Sequence, residues 1–144
     1  MGDNLTLKPR VLVCPLNWGL GHASRCIPLI RKLQQSGFEV LIATDGKALT
    51  LLRSEFSDIT YIRLPGFSPR FSSGVRLVLE MLHWVPLLIW HSIMEHGTIS
   101  RLVDTHKIAV VISDNRFGLF TQKAISIFIT PSGHDQSTWD IILY

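Results

Sequence analysis

The stretch that decides the fold is "VLVCPLNWGLGHASRCIPLIRKL", residues 11–33. It holds a short apolar run, a turn with Gly19 and Gly21, and then His22 at the start of a helical pattern. A glycine turn between a strand and a helix often lets a backbone approach a phosphate group. The stretch therefore raises two questions: which phosphate is bound, and whether His22 takes part in chemistry there.

The composition indicates one sheet-rich domain. A chain of 144 residues is long enough for one hydrophobic core and too short for two full domains. Charged residues make up 17% and apolar residues 47%, so little of the surface is charged. The net charge of +3 is spread along the chain, which predicts no nucleic-acid partner and a mild preference for anionic ligands or lipid surfaces. Residues 1–10 lack the apolar core of a signal peptide, so we expect a cytoplasmic location.

Strands and helices alternate in the pattern. Apolar runs predict five buried strands, at 11–14, 38–44, 59–64, 108–113 and 124–130. Helical spacing predicts helices at about 22–36, from about 45, and over 75–103. The short connections favour an α/β fold, a Rossmann-like parallel sheet with flanking helices. Residues 131–144 show no clear period and are assigned no structure.

The segment 75–103 is the most apolar part of the chain. Four residues interrupt it: Arg76, Glu80, His83 and Pro86. These interruptions argue against a transmembrane span. Two interpretations stay open: a core helix bent at Pro86, or an interfacial helix anchored by Trp84 and Trp90, which would give peripheral contact with a membrane.

Polar clusters follow four of the predicted strands, at 17–25, 44–46, 65–74 and 114–116. Ligands of an open parallel sheet bind at the carboxyl ends of its strands, so this agreement supports a site more than any single motif does. The first loop is a poor dinucleotide fingerprint, because Ser24 replaces the third glycine and four residues separate the first glycine from the strand. A tight turn without a ligand stays an alternative for Gly19 and Gly21.

His22 has two interpretations. It is either a solvated residue at the helix end or a residue of the cleft, where a neutral imidazole can accept a proton near pH 7. Arg25, one turn later, could meet a phosphate or a carboxylate, with a solvated arginine as the alternative. The other five histidines lack metal-ligand spacing, so we expect no metal. Cys14 and Cys26 lack C-x-x-C spacing and are expected to be buried thiols.

Two longer motifs are more specific than the glycine pair. The stretch "PLNWGLGHASRCIPLIRKLQQSGFEVLIATDGKALTLL", with "LPGF" and "VVISDNRFG", closely resembles the N-terminal half of bacterial glycosyltransferases of the GT-B fold. The resemblance lies in the broad group with MurG-like and monogalactosyldiacylglycerol-synthase-like enzymes, and covers residues 10–130. It implies a Rossmann-like, acceptor-side domain that forms one half of a GT-B fold. A C-terminal domain would hold the nucleotide sugar.

The resemblance also implies roles for the candidate residues. His22 would be the catalytic base that deprotonates a hydroxyl acceptor, and Gly19 and Gly21 would line the cleft. The donor would be a nucleotide sugar, with no metal and no cofactor needed, because backbone N–H groups and a helix dipole would stabilise the leaving diphosphate. The other candidate substrate-binding residues are Asn17, Ser24, Arg25, Asp45, Asp114, Asn115 and Arg116.

The family pattern ends near Thr130. Residues 131–144 do not continue it, and a His-Gln pair would be expected there. We therefore expect a truncated or split enzyme that is inactive alone, with its donor-binding domain absent or supplied in trans. Two alternatives stay open: half of a nucleotide-sugar epimerase of the same architecture, and a non-catalytic nucleotide- or lipid-binding domain that uses Trp84 and Trp90.

Overall fold

A computed structural model of the chain describes residues 8–66, 76–131 and 139–143. Most of the predicted loop at 65–74 and the first seven residues lie outside this part of the chain. The strands are Arg10–Pro15 (β1), Glu39–Thr44 (β2), Thr60–Arg63 (β3), Ile108–Asp114 (β4), Ile125–Pro131 (β5) and Trp139–Leu143 (β6). The helices are Leu20–Gln35 (α1), Gly46–Glu55 (α2) and Arg76–His106 (α3).

One mostly parallel sheet organises these elements and confirms the predicted fold class. Its strand order is β3-β2-β1-β4-β5-β6. Neighbours from β3 to β5 are parallel, and β6 is antiparallel to β5. The ladder between the central strands pairs Pro15 with Asp114, so the carboxyl ends of β1 and β4 meet at one edge. This edge is where ligands of such sheets bind.

The sheet is covered on both faces around β1, which explains why this strand lacks polar alternation. Val11 and Val13 of β1 pack in a core with α1 and α2, whereas Leu12 and Cys14 pack in a second core with α3. Both cysteines are buried free thiols, as predicted. Burial raises the pKa of the Cys14 thiol to about 12, because desolvation penalises the thiolate. Burial also raises the pKa of Cys26 well above its ordinary value.

The burial of the side chains of α3 changes along the helix. It remains helical on both sides of Pro86. Its second half packs on the sheet through Ile99 and Val103, both buried. Between residues 82 and 94 it leaves many large apolar side chains exposed, among them Leu82, Ile89, Trp90 and Ile93. The core-helix interpretation therefore holds for the part of α3 from Glu95 onward and does not hold for residues 82–94. No helix among the described residues offers an apolar stretch long enough to cross a membrane.

Strand β6 lies in the segment that the sequence left without structure. Its described side chains, Ile141, Ile142 and Leu143, are all exposed, so no buried face produces a period-two pattern. The strand forms because its backbone pairs with β5, where Phe128 lies opposite Ile142. Pairing satisfies backbone groups whatever the side chains are, and single-sequence patterns do not report it.

Candidate functional site

A histidine and a carboxylate meet where β1 and β4 end. His22 lies in the first turn of α1, and its Nδ1 is 3.0 Å from Asp114 Oδ2. The Asp114 side chain is fully buried, whereas 18% of the His22 side chain is exposed. A buried carboxylate that orients a partly exposed imidazole is the arrangement by which enzymes prepare a general base.

The position of Asp114 indicates which ring nitrogen carries the proton. A carboxylate oxygen accepts hydrogen bonds, so the 3.0 Å contact is favourable when His22 Nδ1 donates. Nε2 is then the nitrogen that can accept a proton from a ligand. Arg25 Nη2 lies 2.9 Å from the same Nδ1 and 4.0 Å from Asp114 Oδ1. With Nδ1 protonated, Arg25 acts on the pair mainly through its positive charge.

The second oxygen of Asp114 is unusual. Within the described part of the chain, Oδ1 is buried and has no hydrogen-bond partner. Cys26 Sγ lies 3.9 Å from the other oxygen, Oδ2. Buried carboxylate oxygens are nearly always hydrogen-bonded in folded proteins, so this oxygen is an exception. Burial and the register of β4 therefore fix the position of the carboxylate, and its shortest hydrogen bond is the one to His22.

The glycine turn opens the start of α1. Gly19 occupies the N-cap with φ +120°, where an L side chain would be strained, and it has no side chain to cap the first turn. A Cβ added at Gly21 would meet nothing within 4 Å, so the backbone there borders open space. Ser24 is exposed and donates to the Gly21 carbonyl at 3.0 Å. The helix N-terminus carries a partial positive charge that favours an anion in this space.

Two other candidates, Asn17 and Asp45, make hydrogen bonds to neighbouring loops and helices. Asn17 Oδ1 accepts the backbone N–H of Ala48 at 3.2 Å, so Asn17 caps α2 from the loop after β1. Asp45, the N-cap of α2, makes no side-chain cap and accepts the Gly66 N–H at 3.1 Å. Asp45 thereby fixes the chain that follows β3. The other oxygen of Asp45, Oδ1, is buried and has no hydrogen-bond partner within the described part of the chain.

Arg116 is buried and joins three elements. It forms an ion pair with Glu95 of α3, to which both Nε and Nη2 donate. Its other donors reach the carbonyls of Leu64 and Pro65 after β3, at 3.4 and 3.3 Å. Only 3% of Arg116 is exposed, so its charge is taken up by protein groups. Asn115, the residue before it, has φ +54° and turns the chain out of β4.

A cavity of about 290 Å³ lies beside the His22–Asp114 pair. Of the predicted site residues, His22, Asn115 and Arg116 line it. Asp114 and Arg25 do not line it, but both contact His22, which does. The other predicted residues, Asn17, Gly19, Gly21, Ser24 and Asp45, do not line it.

Several lining residues were not singled out from the sequence. They are Leu16, Trp18, Leu88, His91, Ser92, Glu95 and Phe117. Trp18 and Phe117 stand inside the two motifs and could have been found there. The four from α3 carry no local signal, because only the tertiary structure brings that helix to the edge of the sheet. Among the described residues, no group of three or more His, Cys, Asp or Glu side chains is arranged to hold a metal ion.

Comparison with known proteins shows the fold. No protein family model matches the chain, and no curated protein does. A crystal structure of the glycotransferase of kitacinnamycin matches 88% of this chain with a TM-score of 0.60 and 13% sequence identity. Glycyrrhiza uralensis UGT73P12, complexed with glycyrrhetinic acid 3-O-monoglucuronide, matches 74% of this chain with a TM-score of 0.46 and 14% identity.

Both solved structures are much longer than the matched region. The chain spans 31% of the first and 24% of the second. At such low sequence identity the first match establishes architecture alone. The chain has the mixed α/β fold, with a mostly parallel sheet between helices, that is also found in part of a glycosyltransferase.

Proposed function

We propose that this chain is the acceptor-side domain of a nucleotide-sugar-dependent glycosyltransferase. The observation that carries the proposal is the His22–Asp114 pair at 3.0 Å, beside a cavity at the carboxyl edge of the sheet. The fold shared with part of a glycosyltransferase supports this class of reaction. The two sequence motifs, which hold His22 and Asp114, favour the MurG-like and monogalactosyldiacylglycerol-synthase-like group within it.

In the proposed reaction, His22 Nε2 takes the proton of an acceptor hydroxyl as that oxygen attacks the anomeric carbon of the donor sugar. A new C–O bond forms, and the bond between the sugar and the nucleotide diphosphate breaks with its electrons going to the diphosphate. Asp114 fixes the imidazole ring and stabilises the imidazolium that results. Arg25, 4.0 Å from Asp114 Oδ1, adds positive charge next to the carboxylate.

The donor binds at the open start of α1 in this proposal. A Cβ added at Gly19 or Gly21 would meet nothing within 4 Å, so the start of α1, with its first-turn N–H groups, borders open space. These N–H groups would stabilise the leaving diphosphate without a metal ion. The nucleotide itself would bind to a donor-binding domain, which the proposal supplies in trans or from further chain.

The proposal includes peripheral contact with a cytoplasmic membrane surface. In residues 82–94 of α3, 59% of Trp90 and 60% of Ile93 are exposed. Trp84 is only half-buried. An apolar helix face with aromatic residues is typical of segments that lie at a membrane interface. A non-catalytic lipid-binding domain would use the same face.

Sugar turnover tests the proposal. We expect none with the chain alone, and turnover when the donor-binding domain of a GT-B glycosyltransferase is added. His22→Ala should lower the restored rate by about 10² to 10⁴, the usual contribution of a general base. The matched control is His96→Ala, because His96 packs against Phe120 and lies outside the His22 cavity.

The outcome against the base assignment is a His22→Ala rate equal to that of the unchanged chain. Product analysis in the same reactions separates transfer from epimerisation. A glycosylated acceptor supports the proposal, whereas an epimerised nucleotide sugar without acceptor product indicates the epimerase class.

A further inference from the structure

Strand β6 forms one edge of the sheet. It pairs with β5 on one side, and among the described residues no strand covers its other side. Along an edge strand, the N–H and C=O groups of alternate residues point outward and can pair with a further strand. The outer side of β6 is therefore a template for one more strand.

The side chains of β6 make this edge apolar on both faces of the sheet. Ile141 and Leu143 point to one face and Ile142 to the other, because side chains alternate along a strand. All three are exposed, Ile141 by 63%, Leu143 by 69% and Ile142 by 46%. A strand added here would cover apolar surface on both faces while it pairs its backbone with β6.

The two edges of the described sheet differ in their protection. Proteins commonly protect an edge strand by short length, by charged residues, above all lysine, and by proline. The opposite edge, β3, has only four residues and ends at exposed Arg63. The sequence of β6 contains no lysine, arginine or proline, and Asp140 is its one charged residue. The edge that remains open to a further strand is therefore β6.

We propose that β6 pairs antiparallel with β6 of a second copy of this chain and joins two six-stranded sheets into one. A two-fold axis at Ile141 brings all five residues into register, with Trp139 opposite Leu143 and Asp140 opposite Ile142 of the second copy. This register keeps the two Asp140 residues apart. A register centred on Asp140 would place like charges directly opposite each other, which is destabilising.

The symmetry of this pairing explains why the partner is a second copy. An antiparallel pair of identical strands is isologous, so it uses both β6 edges and closes at two copies. Pairing β6 of one copy with β3 of the next would leave a free edge at each end and continue into an open fibre. A closed pair therefore removes the unprotected edge without creating a new one.

The dimer keeps the two candidate sites apart. The two-fold axis reverses the direction of every strand of the second copy relative to the first. The carboxyl ends of β1 and β4 in the two copies therefore point in opposite directions along the joined sheet. Neither copy supplies residues to the His22–Asp114 pair of the other, so this proposal does not depend on the proposed function.

Sedimentation velocity on the full chain tests the pairing. Between about 1 and 200 µM, the unchanged chain should pass from monomer to dimer, as expected for a small interface. Ile141→Lys should weaken the dimer by about tenfold or more, because two like charges then meet at the two-fold axis. The matched control is Ile89→Lys, the same change at an isoleucine of α3 that is 58% exposed. It should leave the dissociation constant of the dimer unchanged.

A charge exchange tests the register itself. Ile141→Glu and Ile141→Lys should each be monomeric alone, and an equal mixture should restore a mixed dimer, because residue 141 lies opposite itself. Restoration also shows that both variants are folded. The proposal is overturned if the unchanged chain stays monomeric over the whole range, if Ile89→Lys dissociates the dimer and Ile141→Lys does not, or if the mixture forms no dimer. Assemblies that grow beyond two copies overturn the closed pairing as well.

Discussion

Asn17, and not Asp45, caps the N-terminus of α2 with its side chain. Asp45 stands at the N-cap of α2, yet Asn17 supplies the capping oxygen from another loop. Sequence analysis predicted both as substrate-binding residues, because polar residues at strand ends are typical of ligand sites. A cap supplied from another loop has no local sequence signal, so only the tertiary structure shows that Asn17 has this capping role. His22 and Asp114 were within reach of prediction because each stands in a motif.

The close approach of Asn17 predicts a cost for a side chain at Gly46. Gly46 has φ +54°, and an added Cβ would lie 2.2 Å from Asn17 Nδ2. Gly46→Ala should lower the free energy of unfolding by about 1 to 3 kcal/mol, measured by urea denaturation. Gly97→Ala is the control, since its Cβ would meet nothing within 4 Å in the middle of α3. It should be neutral or stabilising by up to about 1 kcal/mol. Equal effects of the two changes would contradict the interpretation.

Helix α3 is fixed to the sheet by more than apolar contact. The Arg116–Glu95 pair joins it to the loop after β4 and to the chain after β3. The sequence placed Arg116 near the site and gave no reason to pair it with Glu95, which lies 21 positions away. The helix and the first five strands were predictable from their apolar runs. β6 was not, because its identity as a strand depends on β5 rather than on its own pattern.

Breaking this buried pair from one side should be costly. Arg116→Met leaves Glu95 buried without its cation, and we expect a loss of about 3 to 5 kcal/mol in the free energy of unfolding. The control is Lys123→Met, which breaks an exposed pair with Asp104 and should cost less than about 1 kcal/mol. Thermal and urea unfolding measure both. Similar losses in the two variants would show that the buried pair does not fasten α3.

The chain has a small fraction of charged residues, and in its described part exposed large apolar side chains occur in several places. Two of these places are residues 82–94 of α3 and strand β6, and others are the loops after β1 and β4. The charged fraction of 17% predicts that little of the surface is charged, but it does not predict where apolar side chains are left exposed. Location depends on which elements lack a covering layer, and that is a property of the assembled sheet.

The two surfaces make different predictions for membranes. If the α3 face is interfacial, the double variant Trp90→Lys/Ile93→Lys should abolish co-sedimentation with anionic phospholipid vesicles. The double variant Ile141→Lys/Leu143→Lys adds the same charge to β6, and it should sediment like the unchanged chain. The extra positive charge favours binding to anionic vesicles in both variants. A loss of co-sedimentation in the α3 variant alone would therefore show that the apolar side chains of α3 contribute to membrane binding. Undiminished sedimentation of the α3 variant contradicts membrane contact through this face.

The pairing of Pro15 with Asp114 has a consequence for how the protein matures. His22 and Asp114 are separated by 92 positions, and they meet only when β1 and β4 have closed their ladder in this register. A slip of one residue would turn the Asp114 side chain to the opposite face of the sheet. Misregistered molecules would then lack the carboxylate partner of His22. The His22–Asp114 pair therefore forms only in molecules whose β1 and β4 strands are paired in the native register.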